Sequence, residues 1–272
     1  MASASELIAA EPGRRVDREA ELDLAVSAWA ARLAFVTVST LSWRWGVSEQ
    51  KMRRRVRRLE REGFVRRHRD GRNQPARIVV TERGGEACGL TIRTARGREP
   101  LGHELAVIKR VMAIELYFAQ HGPDGARVLT EREMRREERS DRERRWSVRV
   151  VHPHGRVGKR WPDYAVQTPE GTTAVELEFS LKGTRRLRSI VFGYQEASHY
   201  DFVDFVLLQR RPDAQSWRTL TRLVDDVRIV PQFSRLPQFR FGPTMNITPW
   251  RDPLPELHAG IAPFRSIDRV ER

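Results

Sequence analysis

The stretch Ser48-Glu49-Gln50-Lys51-Met52-Arg53-Arg54-Arg55-Val56-Arg57-Arg58-Leu59-Glu60-Arg61-Glu62-Gly63 decides how the first third of the chain is read. Ser48 can accept a hydrogen bond from the free amides of a first helical turn, and Gly63 can stop the helix. Between them Met52, Val56 and Leu59 recur at i, i+4 and i+7, so they share one face. The opposite face carries Arg54, Arg58 and Arg61, flanked by Arg53 and Arg57. One side is built to pack and the other to meet a polyanion.

Working outward, apolar residues at helical spacing (Leu22, Ala25, Val26, Trp29, Leu33) predict a core-facing helix from about Arg18 to Ala34. Ser39 is expected to cap a short helix through Trp45, which Gly46 ends. After Gly63 the period changes. Phe64–Arg69 reads as a strand, Asp70-Gly71 as a turn, Ala76–Val80 as the returning strand, and Thr81 as the cap of a short helix. Helix, helix and hairpin in this order are a winged helix-turn-helix, expected over 18–92. The run Thr81-Glu82-Arg83-Gly84 resembles the ending common in bacterial winged-helix regulators of the MarR-like kind.

In such a domain Gln50 and Lys51, at the helix start, lie nearest base edges, while Arg53, Arg54, Arg57, Arg58 and Arg61 hold phosphates. The hairpin adds Arg66, Arg67, Arg69, Arg72 and Arg77. Double-stranded DNA is the expected partner, because a helix with a wing fits a B-form groove. A merely solvated basic helix, or a protein-interaction module, is the competing reading.

Composition agrees with a polyanionic partner. Lys and Arg total 50 against 36 Asp and Glu over 272 residues, a net charge of +14. No apolar run is long enough to span a bilayer, so no membrane partner is expected. Cys88 stands alone, which rules out an intrachain disulfide or a thiolate metal cluster. The first residues lack an apolar stretch of signal-peptide length, and a cytoplasmic setting is expected. Residues 1–17 read as disordered. A homodimer is allowed, since the sequence leaves the oligomeric state open.

The remainder reads as a linker over 93–100, an α/β domain over 101–232 and a proline-rich extension over 233–272, making the whole a multi-domain α/β chain. Its expected elements are a helix over 101–120, a solvated, charge-paired helix over 131–145, and strands over 148–151, 164–167 and 173–179. A helix over 184–198, a strand over 203–208, a helix over 214–223 and a strand over 227–230 follow.

Within this domain Pro162-Asp163 opens one strand, and Glu176 and Glu178 lie at i and i+2 on the next. Alternate residues share a strand face, and a hairpin around Pro169-Glu170-Gly171 would bring Asp163 beside both glutamates. Three clustered carboxylates repel unless a cation joins them, and oxygen ligands suit Mg²⁺ or Mn²⁺. The pattern resembles the PD-(D/E)XK nuclease-like fold. That resemblance implies Asp163 and Glu176 as metal ligands, with Glu178 beside them at the position usually held by lysine. Lys182 could move into the site, and Arg188 or Gln195 could face it from the following helix. The catalytic set would then be Asp163, Glu176, Glu178 and Lys182, with Mg²⁺ or Mn²⁺ held by the three acids. In the alternative, Asp163 caps a turn, the glutamates pair with Arg160 or Arg188, and the fold is inactive.

Taken together, the winged-helix segment, His103-Glu104-Leu105-Ala106-Val107, Arg160–Val166, Val175–Phe179 and Arg188–Tyr194 resemble the bacterial plasmid replication-relaxation family over about residues 20–230. The resemblance implies a role in replication or DNA relaxation of plasmids and integrative elements. His152-Pro153-His154 reads as a turn rather than a metal site, and Cys88 as a buried small side chain.

Overall fold

The computed structural model describes residues 19–71, 74–92, 101–141, 145–152, 154–178, 184–207 and 244–249. The chain is a mixed α/β protein that divides into two compact units, with the boundary between Gly122 and Pro123.

The first unit contains α1 (Glu19–Ala31), α2 (Val38–Trp45), α3 (Glu49–Arg61), the hairpin strands β1 (Val65–His68) and β2 (Arg77–Val80), α4 (Glu82–Ala87) and α5 (Leu101–His121). Thr37, rather than Ser39, caps α2. Its hydroxyl accepts from Thr40 N at 3.2 Å while the Thr40 hydroxyl accepts from Thr37 N at 3.0 Å, a reciprocal cap that leaves Ser39 inside the first turn. Gly46 ends α2 at φ +61°, where an L side chain would be strained, and Ser48 starts α3 two residues later. The hairpin follows the expected turn. Val36 adds a bridge to Ile78, with reciprocal backbone hydrogen bonds of 2.9 and 2.8 Å.

Met52, Val56 and Leu59 of α3 are buried among Trp29, Val36, Leu41 and Ile78. Each such side chain contributes about 1.5–3 kcal/mol by leaving water. Helix α5 also belongs to this unit, so the boundary falls after Gly122 and not within 93–100. Its Ile108 and Met112 enter the same core. Its Glu104 accepts from Ala34 N at 3.1 Å, and its Glu115 takes the indole N–H of Trp29 at 2.9 Å and pairs with Arg32 and Arg44.

The second unit contains β3 (Arg127–Thr130), α6 (Glu131–Ser140), β4 (Val148–Val151), β5 (Val157–Arg160), β6 (Tyr164–Thr168), β7 (Gly171–Glu178), α7 (Thr184–Gln195), β8 (Phe202–Leu207) and β9 (Thr244–Pro249). One sheet has the order β3-β6-β7-β8-β9. Its first two pairings are antiparallel and its last two parallel. Strands β4 and β5 form a separate antiparallel ribbon. Helix α7 makes the crossover between parallel β7 and β8, and its Leu187, Ile190, Val191 and Tyr194 pack on Ala165, Ala174, Val203 and Phe205.

Strand β9 lies inside the stretch expected to be an irregular extension. Thr244-Met245-Asn246-Ile247-Thr248 alternates polar and apolar residues, a five-residue signal set among prolines, and the strand pairs in parallel with β8. The expected helix over 214–223 and strand over 227–230 lie outside the described residues, as do residues 1–17 and 93–100.

Candidate nucleic-acid interface and carboxylate site

Helix α3 presents Gln50, Lys51, Arg53, Arg54, Arg57 and Arg61 to solvent, and Arg66, Arg67 and Arg69 are exposed along the hairpin. They are not equally available. Arg53 pairs with Glu49 and Arg67 with Glu60, each at 2.5 Å. Arg58, expected among the phosphate-holding arginines, turns instead to Asp23 of α1 at 2.5 Å, where Arg55 also binds. Arg77 is buried, paired with Asp70 and stacked over the Phe35 ring at 4.8 Å. Among the described residues no ion pair engages Lys51, Arg54, Arg57, Arg61, Arg66 or Arg69. Arg72 lies outside the described residues.

The hairpin of β6 and β7 forms around the expected turn, with Thr168 opposite Gly171 and Tyr164 opposite Val175. Asp163 therefore sits beside β7. Its amide donates to Val175 O at 3.0 Å and its Oδ2 accepts from Leu177 N at 2.6 Å.

Glu176 is completely buried, on the face of β7 that Tyr194 of α7 and Arg160 of β5 cover. Arg160 Nε donates to its Oε1 at 2.8 Å, Arg160 Nη2 donates to its Oε2, and the Tyr194 hydroxyl donates to Oε1 at 2.6 Å. Burial disfavours the charged guanidinium, but the Glu176 carboxylate outweighs it and holds Arg160 well above its ordinary pKa. Burial, with Glu176 beside it, raises the Tyr194 phenol well above its usual range. This is the pairing with Arg160 that the sequence allowed as the structural alternative. Tyr194 replaces the expected helix partners, and Arg188 is exposed. The spacing of Leu187, Ile190, Val191 and Tyr194 is the signal that could place Tyr194 facing inward; its meeting with a carboxylate is seen only in the structure.

Beside this pair lies a cavity of about 180 Å³ lined by Glu131, Asp163, Lys159, Arg160, His152 and Arg186, among others. Burial raises the Glu131 pKa, against the opposing pull of Arg135. The donor set does not fit a divalent ion at Glu176. Both of its oxygens are occupied, and the guanidinium provides the positive charge a metal would bring. Among the described residues no group of three His, Cys, Asp or Glu side chains is placed to hold a metal. The Glu178 side chain and all of Lys182 lie outside the described residues.

Sequence reasoning missed Glu138. Helix α6 is not simply solvated, because its Met134 is buried and its Glu138 carboxylate collects five donors. These are Trp146 N at 3.2 Å, Ser147 N at 2.9 Å, Ser147 Oγ at 2.7 Å, Lys159 Nζ at 2.6 Å and Trp161 Nε1 at 3.0 Å. Burial opposes the charge, but these bonds prevail and lower its pKa to about 2. Cys88 is buried, and burial pushes its thiol up to about 11, as suits an inert side chain.

Comparison with protein-family models, with curated proteins and with solved structures finds no match. No helix among the described residues is long and apolar enough to cross a membrane.

Proposed function

We propose that this chain binds double-stranded DNA through a winged helix-turn-helix, with α2 and α3 as the paired helices, α3 in the major groove and the β1–β2 hairpin as the wing. The observation carrying this reading is the unpaired basic face of α3. Lys51, Arg54, Arg57 and Arg61 are exposed, while Met52, Val56 and Leu59 anchor the opposite face. Arg66 and Arg69 continue the positive charge along the hairpin. Gln50 and Lys51 sit where a recognition helix meets base edges.

The β6–β7 hairpin followed by the α7 crossover to parallel β8 agrees with the strands, helix, strand order by which the sequence resembles the PD-(D/E)XK-like fold, and supports that reading. Its acid position is closed by Arg160 and Tyr194, so the unit acts as a non-cleaving accessory domain. The role is that of a DNA-binding replication accessory factor or regulator. A setting on a plasmid or mobile element rests on the sequence resemblance. A metal-dependent nuclease is the second reading, favoured by the cavity that holds Asp163 and Glu131. It requires Mg²⁺ or Mn²⁺ to reach acids other than Glu176, or Arg160 to move aside.

Fluorescence anisotropy with labelled duplex, measured across salt concentrations, tests the main reading. Replacing Arg54, Arg57 and Arg61 by glutamine should weaken binding and flatten the salt dependence by roughly one slope unit for each phosphate left without its cation. Binding unchanged in both affinity and slope overturns it.

A further inference from the structure

The second unit carries a basic surface that the winged helix does not use. The ribbon of β4 and β5 has register pairs Arg149 with Lys159 and Val151 with Val157, and all four residues are exposed. Val148 and Val150 alternate with them and enter the core. Helix α7 seals the free edge of the ribbon. Ser189 Oγ accepts from Val151 N at 2.6 Å, and Gly193 lies so near that a Cβ there would come within 2.4 Å of Arg149 O. Ribbon and helix therefore form one continuous surface.

Its charge is one-sided. From Arg145 to Arg160, and throughout α7, there is no Asp or Glu. Arg149, Arg156, Arg185, Arg186 and Arg188 are exposed, and among the described residues no ion pair engages them. Lys159 is the exception, being tied to Glu138. Crowded like charges without counter-charges cost stability, and elsewhere in the molecule Asp23, Glu60 and Glu115 supply them. The large exposed apolar side chains of the described residues, Val151, Val157 and Phe192, fall on this same surface. Cations interleaved with apolar groups on a two-stranded ribbon suit a nucleic-acid duplex, whose phosphates take the charges and whose groove admits the ribbon.

We infer that the β4–β5 ribbon and helix α7 form a second DNA-backbone contact surface, so that the α/β unit itself grips duplex DNA. The partner is the one proposed for the winged helix, but the residues that would hold it are different.

The full chain is tested as three proteins: wild type, the α3 variant (Arg54→Gln, Arg57→Gln, Arg61→Gln) and a ribbon variant (Arg149→Gln, Arg156→Gln, Arg185→Gln, Arg188→Gln). The ribbon variant should bind duplex about 10- to 100-fold more weakly at low salt, with a log-affinity slope shallower by roughly 3 to 4 units. Wild-type affinity and slope in the ribbon variant overturn the inference, whatever the α3 variant does. Weakened binding in the ribbon variant alone supports it and removes the proposed role of α3. A photo-crosslinker placed at Val157 in the otherwise unchanged chain gives a readout that does not depend on how the quadruple variant folds. Crosslinks to duplex support the surface, and their absence overturns it. A ribbon variant that no longer binds anionic phospholipid vesicles, with duplex binding intact, also overturns it by pointing to a lipid surface.

Discussion

Arg160 and Glu176 face each other across the second unit as a two-point ion pair, with the carboxylate fully buried and the Tyr194 hydroxyl completing its coordination. A carboxylate at that depth needs a fixed positive partner. Here the chain supplies it from the end of β5, where a nuclease would recruit a metal ion.

Removing one partner leaves an uncompensated buried charge. Arg160→Ala should destabilise the protein by about 3–5 kcal/mol, read as a lower urea midpoint of the second unit's transition. Arg160→Met combined with Glu176→Leu should recover most of that stability. A double variant no more stable than Arg160→Ala would contradict this account.

Mg²⁺ or Mn²⁺ should not raise the melting temperature of the wild-type protein, since Glu176 is already committed. Supercoiled plasmid should survive incubation with either ion. Nicking that disappears in both Asp163→Ala and Glu176→Ala would reinstate the nuclease.

Arg54 and Arg58 lie four residues apart on α3 but do different work. Arg54→Gln should weaken DNA binding and reduce its salt slope. Arg58→Gln should instead loosen the contact with Asp23 of α1, costing about 0.2–1 kcal/mol, because the pair is partly exposed and screened. Its DNA salt slope should stay closer to wild type. An equal reduction of slope in the two variants would show that Arg58 leaves Asp23 on binding.

Glu138 gives a pH signature. Its folded pKa is depressed from the ordinary 4.5 to about 2, so the stability it contributes is present above pH 4.5. That contribution fades as pH falls from 4.5 towards 2, where the folded-state carboxylate takes up its proton. In Glu138→Gln, acid denaturation followed by tryptophan fluorescence should start from lower stability at neutral pH and show a shallower decline across this window. An unchanged acid limb would mean that the five donors do not act through its charge.

Much of the first unit was legible because its signals are local. Ser48, Gly46, Gly63 and Thr81 mark element ends through their own backbone and capping chemistry, and the period of Met52, Val56 and Leu59 identifies the packed face of α3. The fate of Arg58 was not legible, since periodicity places it on a face without naming what Asp23 of another helix will claim. Helix α5 joins the first unit, where its place after the expected linker predicts the second, for a similar reason. Its apolar stripe fits any core, and only Glu115 meeting Trp29, Arg32 and Arg44 shows which one it joins.

The carboxylate site divides in the same way. The sequence alone determined the turn after Thr168, the placement of Asp163 beside β7, and a short list of cations within reach of Glu176, with Arg160 among them. Only the tertiary structure decided between metal ligand and ion-pair partner. Strands β6 and β8 flank β7, helix α7 overlies the face that carries Glu176, and a buried carboxylate binds whichever cation the surrounding elements hold closest. Alternation along one strand carries no information about that third dimension.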